Sequence, residues 1–184
     1  MFSHEEIIKL LRGDPIDPGL PFDSHKDKSV RAFYEPIILA AAKRFQLGTR
    51  IEWNHYGSGY ASFIDAWFYR KDQGGRLSED ADHHVGIWVL LSRTTRFFAM
   101  GQGEKSGHPR GGCSYLPCFD SMDDIEHPAI SILADPIANH FTEAGLIRLR
   151  KESLSEPLDS SYKVPTILAG PPFRHFDALF HWED

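Results

Sequence analysis

Four side chains suited to metal binding or to nucleophile–base chemistry fall within one stretch of twenty residues: His108, Cys113, Cys118 and His127. Zinc takes such ligands, and a bound zinc turns water into a nucleophile. The spacing, H-x4-C-x4-C-x8-H, lacks the close C-x2–4-C pair of structural zinc sites. Two cysteines in a loop more commonly act as small buried hydrophobes. A metal-assisted hydrolase centred on these four residues is therefore an alternative and not the leading reading. His83 and His84 are adjacent at the start of a strand, so they point to opposite faces and do not share a metal. One of them could serve as a general base, although a solvated strand end is the more ordinary role.

The remaining signatures of catalysis are weak. Gly101, Gly103 and Gly107 match neither the phosphate loop, G-x4-G-K-[ST], nor the kinase glycine loop. There is no G-x-S-x-G elbow and no H-E-x-x-H, and Cys113 has no local nucleophile signature. Neither an enzyme nor a bound cofactor is expected.

Charge is more informative. The net charge of −6 argues against a nucleic-acid groove, because such grooves gather Lys and Arg on one face. Basic partners fit better. Between Arg110 and Arg148 there is no Lys or Arg, while Asp120, Asp123, Asp124, Glu126, Asp135 and Glu143 all fall there. Charge runs are usually solvated faces, but one of this kind can also steer a cationic protein.

The elements that must position these groups follow from periodicity. Ser3 and Glu6 form a capping box ahead of Ile7, Ile8, Leu10 and Leu11, and Gly13 ends that helix. Phe33, Ile37, Ala40, Ala41 and Phe45 predict a second helix over 29–47. Pro36 either kinks it or starts a shorter helix near Glu35. The period then falls to two. Strands are predicted at 49–53, 60–70, 83–92 and 96–102, joined by short links as in an antiparallel meander. Residues 103–112 read as a glycine-rich loop and 114–116 as a possible edge strand. A third helix is expected over 128–144, and further strands at 146–150 and 164–168. The aromatic segment 173–182 either docks on the sheet, the commoner fate of such rings, or offers Trp182 as an interface anchor.

No repeat or linker divides the 184 residues. The expectation is one α+β domain, residues 1–184, with an antiparallel meander of about four to six strands and helices packed on one face. No apolar run reaches the length of a membrane helix, the start lacks a signal-peptide pattern, and two cysteines suit reduced thiols. These point to a cytoplasmic protein with no membrane contact.

The string Phe176-Asp-Ala-Leu-Phe-His-Trp-Glu-Asp184 resembles small bacterial immunity proteins of polymorphic and type VI secretion toxin systems. The strand around Trp67 and the Met100–Gly103 segment add to that likeness. The resemblance implies a non-catalytic protein that binds one cognate toxin, with a nuclease as one candidate, and blocks it. No toxin-contacting residue carries over with it. From the charge pattern and the aromatic tail, the candidate partner-binding residues are Asp120, Asp123, Asp124, Glu126, Asp135 and Trp182. A small-ligand module with a pocket lined by Trp67 and Trp88 is a third possibility.

Overall fold

The computed structural model describes residues 2–57, 59–77, 82–107 and 116–183. In chain order the elements are α1 (His4–Leu11), α2 (Asp27–Arg44), β1 (Leu47–Glu52), β2 (Tyr60–Ala61), β3 (Phe63–Arg70), β4 (Asp82–Ser92), β5 (Phe97–Gly107), α3 (Pro128–Ser131), α4 (Ala134–Glu143), β6 (Ile147–Arg148), α5 (Lys151–Leu154), α6 (His175–Leu179) and β7 (Trp182–Glu183). One five-stranded sheet runs β1-β3-β4-β5-β6, and β2 pairs with β7 in a separate ribbon. The first four strands are antiparallel neighbours, and β6 joins β5 in parallel. The α+β class and the meander hold.

The helices lie on both faces of the sheet. Tyr34 and Ile38 of α2, Ile130 of α3, and Ile137 and Phe141 of α4 pack with Ile64, Phe68, Ile87 and Phe98. On the other side, Leu10 of α1, Leu154 of α5, and Phe176 and Leu179 of α6 pack with Phe63, Trp67, Trp88 and Leu90. The reason lies in β3, where both alternating sets of side chains are apolar enough to need cover. The expectation of helices on one face is thus corrected to both.

Local chemistry explains the other departures. The Ser3–Glu6 capping box is present, with the Glu6 carboxylate accepting from the Ser3 N–H at 2.7 Å. Helix α2 continues through Pro36, which is exposed beside exposed Ala32, so water can reach the carbonyl that Pro36 leaves unbonded. The third helix divides into α3 and α4 because Pro136 has no N–H to bond Ile132 and is tolerated only in a first turn. Ser62 interrupts the 60–70 strand. Its Oγ donates to Leu179 O at 2.8 Å and accepts from His181 N–H at 2.9 Å, tying the aromatic segment to the sheet. Strand β5 continues to Gly107, through part of the stretch read as a loop. Residues 164–168 form no strand, although Ile167 N–H donates to Trp182 O at 2.9 Å. Leu116 is not in a strand, and Ser114 lies outside the described residues. No helix among the described residues is long and apolar enough to cross a membrane.

The docked segment carries a pH-sensitive group. His181 is fully buried, and its Nδ1–H donates to Ala178 O at 3.0 Å. Burial holds its pKa below the usual 6.5, only partly offset by the Ala178 bond. The folded state thus keeps His181 neutral, whereas the unfolded chain takes up a proton below 6.5. Its contribution is therefore complete above that pH and declines as the pH falls below it. Thermal denaturation should show stability dropping from pH 7 to 5.5, by at most about 1.4 kcal/mol per pH unit from this group. His181→Gln should flatten the slope; an unchanged slope would show that other groups set it.

Candidate functional site

The surface presented by residues 119–127 is built from its anchors upward. A 3-10 turn, Phe119–Ser121, delivers Met122 into the second core, where it is 1% exposed. Met122 bridges Gly101, and the Asp123 N–H donates to Met100 O at 2.9 Å, so the segment lies along the outer edge of β5. Asp123 then turns with φ of 60°. Its carboxylate accepts from Arg148 Nη2 at 2.6 Å, Arg150 Nη1 at 3.2 Å and Lys151 N–H at 2.8 Å. At the far end the His127 N–H donates to Gln102 Oε1 at 2.8 Å, and His127 Nδ1 accepts from Ala129 N–H at 3.2 Å, capping α3. Between these anchors the side chains alternate. Ile125 packs against the first core, while Asp124 and Glu126 are exposed.

The six candidate partner-binding residues therefore divide. Asp120, Asp124, Glu126 and Asp135 are exposed. Asp123 is turned inward and spent on the arginines of the 148–150 segment. Trp182 is 8% exposed, paired in β7 with Ala61, and its ring centre lies 4.5 Å from that of Tyr56. Asp123 and Trp182 are thus largely withdrawn from the surface, unlike the other four. The acidity is also less than the bare interval implied. Asp135 lies 4.0 Å from Arg148 Nη1, and Lys151 Nζ donates to the Asp120 carbonyl oxygen at 2.6 Å. Two of the carboxylates, Asp123 and Asp135, thus face Arg148 and Arg150, and Lys151 of α5 reaches the backbone of the same segment.

Of the four soft ligands, His108 and Cys113 lie outside the described residues. Cys118 is exposed, with Sγ 3.4 Å from Ser121 Oγ, and His127 commits Nδ1 to its helix cap. No group of three or more His, Cys, Asp or Glu among the described residues could hold a metal ion. Trp67 and Trp88 are fully buried within the second core.

One polar pair escaped sequence reasoning. Asp65 is 1% exposed on β3, and its Oδ2 accepts from Lys105 Nζ at 2.6 Å and from the Tyr56 hydroxyl at 3.0 Å. Lys105 is 5% exposed. The signal was there: an aspartate inside Phe63-Ile-Asp-Ala-Trp-Phe-Tyr69 cannot be buried without a partner.

Fold and surface together define a class: an α+β domain whose acid-bearing edge loop is held at both ends. No protein-family model, no curated protein and no solved structure matches this chain. The class rests on geometry.

Proposed function

We infer that the protein is an immunity protein, binding a cognate bacterial toxin by direct contact and neutralising it. The observation that carries this reading is the Asp123–His127 loop, pinned at each end and turning Asp124 and Glu126 outward. A loop already fixed loses little further entropy on binding. Exposed carboxylates speed encounter with a basic surface. A nuclease toxin is a fitting partner, because the groove that takes its anionic substrate is cationic. Ile132, 70% exposed at the junction of α3 and α4, supplies an apolar anchor near Asp135 in the chain. The likeness of the 176–184 segment to immunity proteins supports the same reading.

Co-expression with the product of the neighbouring gene should give a stable complex and relieve its toxicity. Asp124→Asn combined with Glu126→Gln should weaken that complex on the order of tenfold, mostly through slower association. The folded state should change by less than about 0.5 kcal/mol, since both side chains are exposed. Absence of a complex would remove the reading. A complex whose association rate ignored both the substitutions and salt would move the interface elsewhere.

A further inference from the structure

The long β4–β5 ribbon does not lie flat. Asp65 stands opposite Leu90 on β4, and Leu90 opposite Ala99 on β5; Lys105 lies six residues beyond Ala99. In a flat sheet that offset is roughly 20 Å along the strands. Yet Lys105 Nζ is 2.6 Å from Asp65 Oδ2. A second pair repeats the offset. Arg50 on β1 stands opposite Trp67, Trp67 opposite Trp88, and Asp82 is six residues before Trp88, but Arg50 and Asp82 form an ion pair. Both pairs lie on the same side of the sheet. The distal ribbon, residues 82–86 and 103–107, is therefore curled back over the sheet's own second face.

The bend falls where side chains are missing. Gly86 and Gly103 are direct cross-strand partners. A Cβ on Gly86 would sit 2.4 Å from the Phe68 carbonyl oxygen and 2.5 Å from the Trp67 indole, so glycine alone permits this approach. Under the curled arm, Trp67 stacks on Tyr69 with ring centres 4.7 Å apart, and the Tyr69 and His84 rings are 4.8 Å apart. Lys105 Nζ lies 5.7 Å from the centre of the Trp67 ring.

Closure is opposed as well as favoured. Asp65 Oδ1, Trp67 Nε1 and His84 Nδ1 are buried without a hydrogen-bond partner. Each was bonded to water before burial, so each weighs against the closed arm. Desolvation of Asp65 and Lys105 adds to that opposition. Against it stand the two ion pairs and the covered rings. A segment balanced in this way opens well before the rest of the sheet.

We propose that the distal β4–β5 ribbon is a hinged arm, bending at Gly86 and Gly103 and latched by Asp65–Lys105 and Arg50–Asp82, which opens as a unit to uncover the Trp67–Tyr69 face. This goes beyond the toxin-binding reading and does not depend on it.

Native-state hydrogen exchange on the full chain, read by peptide or by residue, tests the latch. In Lys105→Met, amides at 83–86 and 103–106 should exchange at least tenfold faster, while those at 88–91 and 98–101 keep their rates. Arg50→Gln should accelerate the same arm amides about threefold or more, although Arg50 sits on β1, separated from β4 by β3. If Lys105→Met does not fold, Arg50→Gln decides the question. Equal acceleration of arm and base would overturn the proposal. So would a change confined to the strand neighbours of the substituted residue, which is what ordinary fraying predicts.

Discussion

Asp123→Ala should destabilise the protein by about 2–4 kcal/mol, more than any other single carboxylate removed from the 120–135 segment. The size follows from what the carboxylate leaves behind. Arg148 and Asp123 have side chains only 11% and 18% exposed, so the arginine would keep its charge in a site that water barely reaches. The Lys151 N–H would lose its acceptor too. The turn at Asp123 adds a smaller term, because alanine at φ of 60° is less favourable than aspartate. Denaturant unfolding of Asp123→Ala and Asp123→Asn, beside Asp124→Asn, would measure it. The asparagine should recover part of the loss through its amide oxygen, and Asp124→Asn should cost almost nothing. Equal, small effects at positions 123 and 124 would show that the arginines are not holding this turn. If partner binding runs through the loop, Asp123→Ala should also weaken it, by loosening Asp124 and Glu126 without removing either charge.

The second large effect is expected at Gly101. A Cβ there would stand 2.1 Å from the Ser121 carbonyl oxygen and 2.3 Å from the Trp88 ring. Neither neighbour can give way easily. Trp88 is fully buried, with its indole N–H donating to Gln102 O at 3.0 Å and to Ser121 Oγ at 3.3 Å. Ser121 belongs to the turn that brings Met122 into the core. Gly101→Ala should therefore cost about 3 kcal/mol, the upper range for inserting one carbon into a packed site. It should act by lifting the 119–123 segment off β5. Faster amide exchange at Met122 and Asp123, with β3 unaffected, would locate the damage there. A fully stable Gly101→Ala would mean that the loop does not rest on the strand as tightly as these distances require.

Local rules carried far in this chain. Ser3 and Glu6 marked the first helix by themselves, and the switch to alternation after Gly48 placed the meander. What failed were judgements needing partners distant in sequence. Asp65 and Lys105 are 40 positions apart, and only a curled ribbon brings them together. Between Arg110 and Arg148 the chain has no cation, so the interval read as uniformly acidic. The fold then returns Arg148, Arg150 and Lys151 to the same place by running β6 beside β5. Trp182 was open to two readings, and burial against Tyr56 decides between them. The 128–144 stretch was read as one helix from its apolar period alone, which takes no account of the N–H that Pro136 lacks.

The cover of the second sheet face has a bearing on how the chain is made. The five-stranded sheet has all its strands once Arg148 has been synthesised, whereas α6 and β7, which seal Phe63, Trp88 and Leu90, begin only at His175. At typical elongation rates of about 5–20 residues per second, the ribosome holds a strand-complete but half-uncovered nascent chain for a time on the order of seconds. Those seconds are when a chaperone has most to gain by engaging it, and when crowded translation would most readily lead to aggregation.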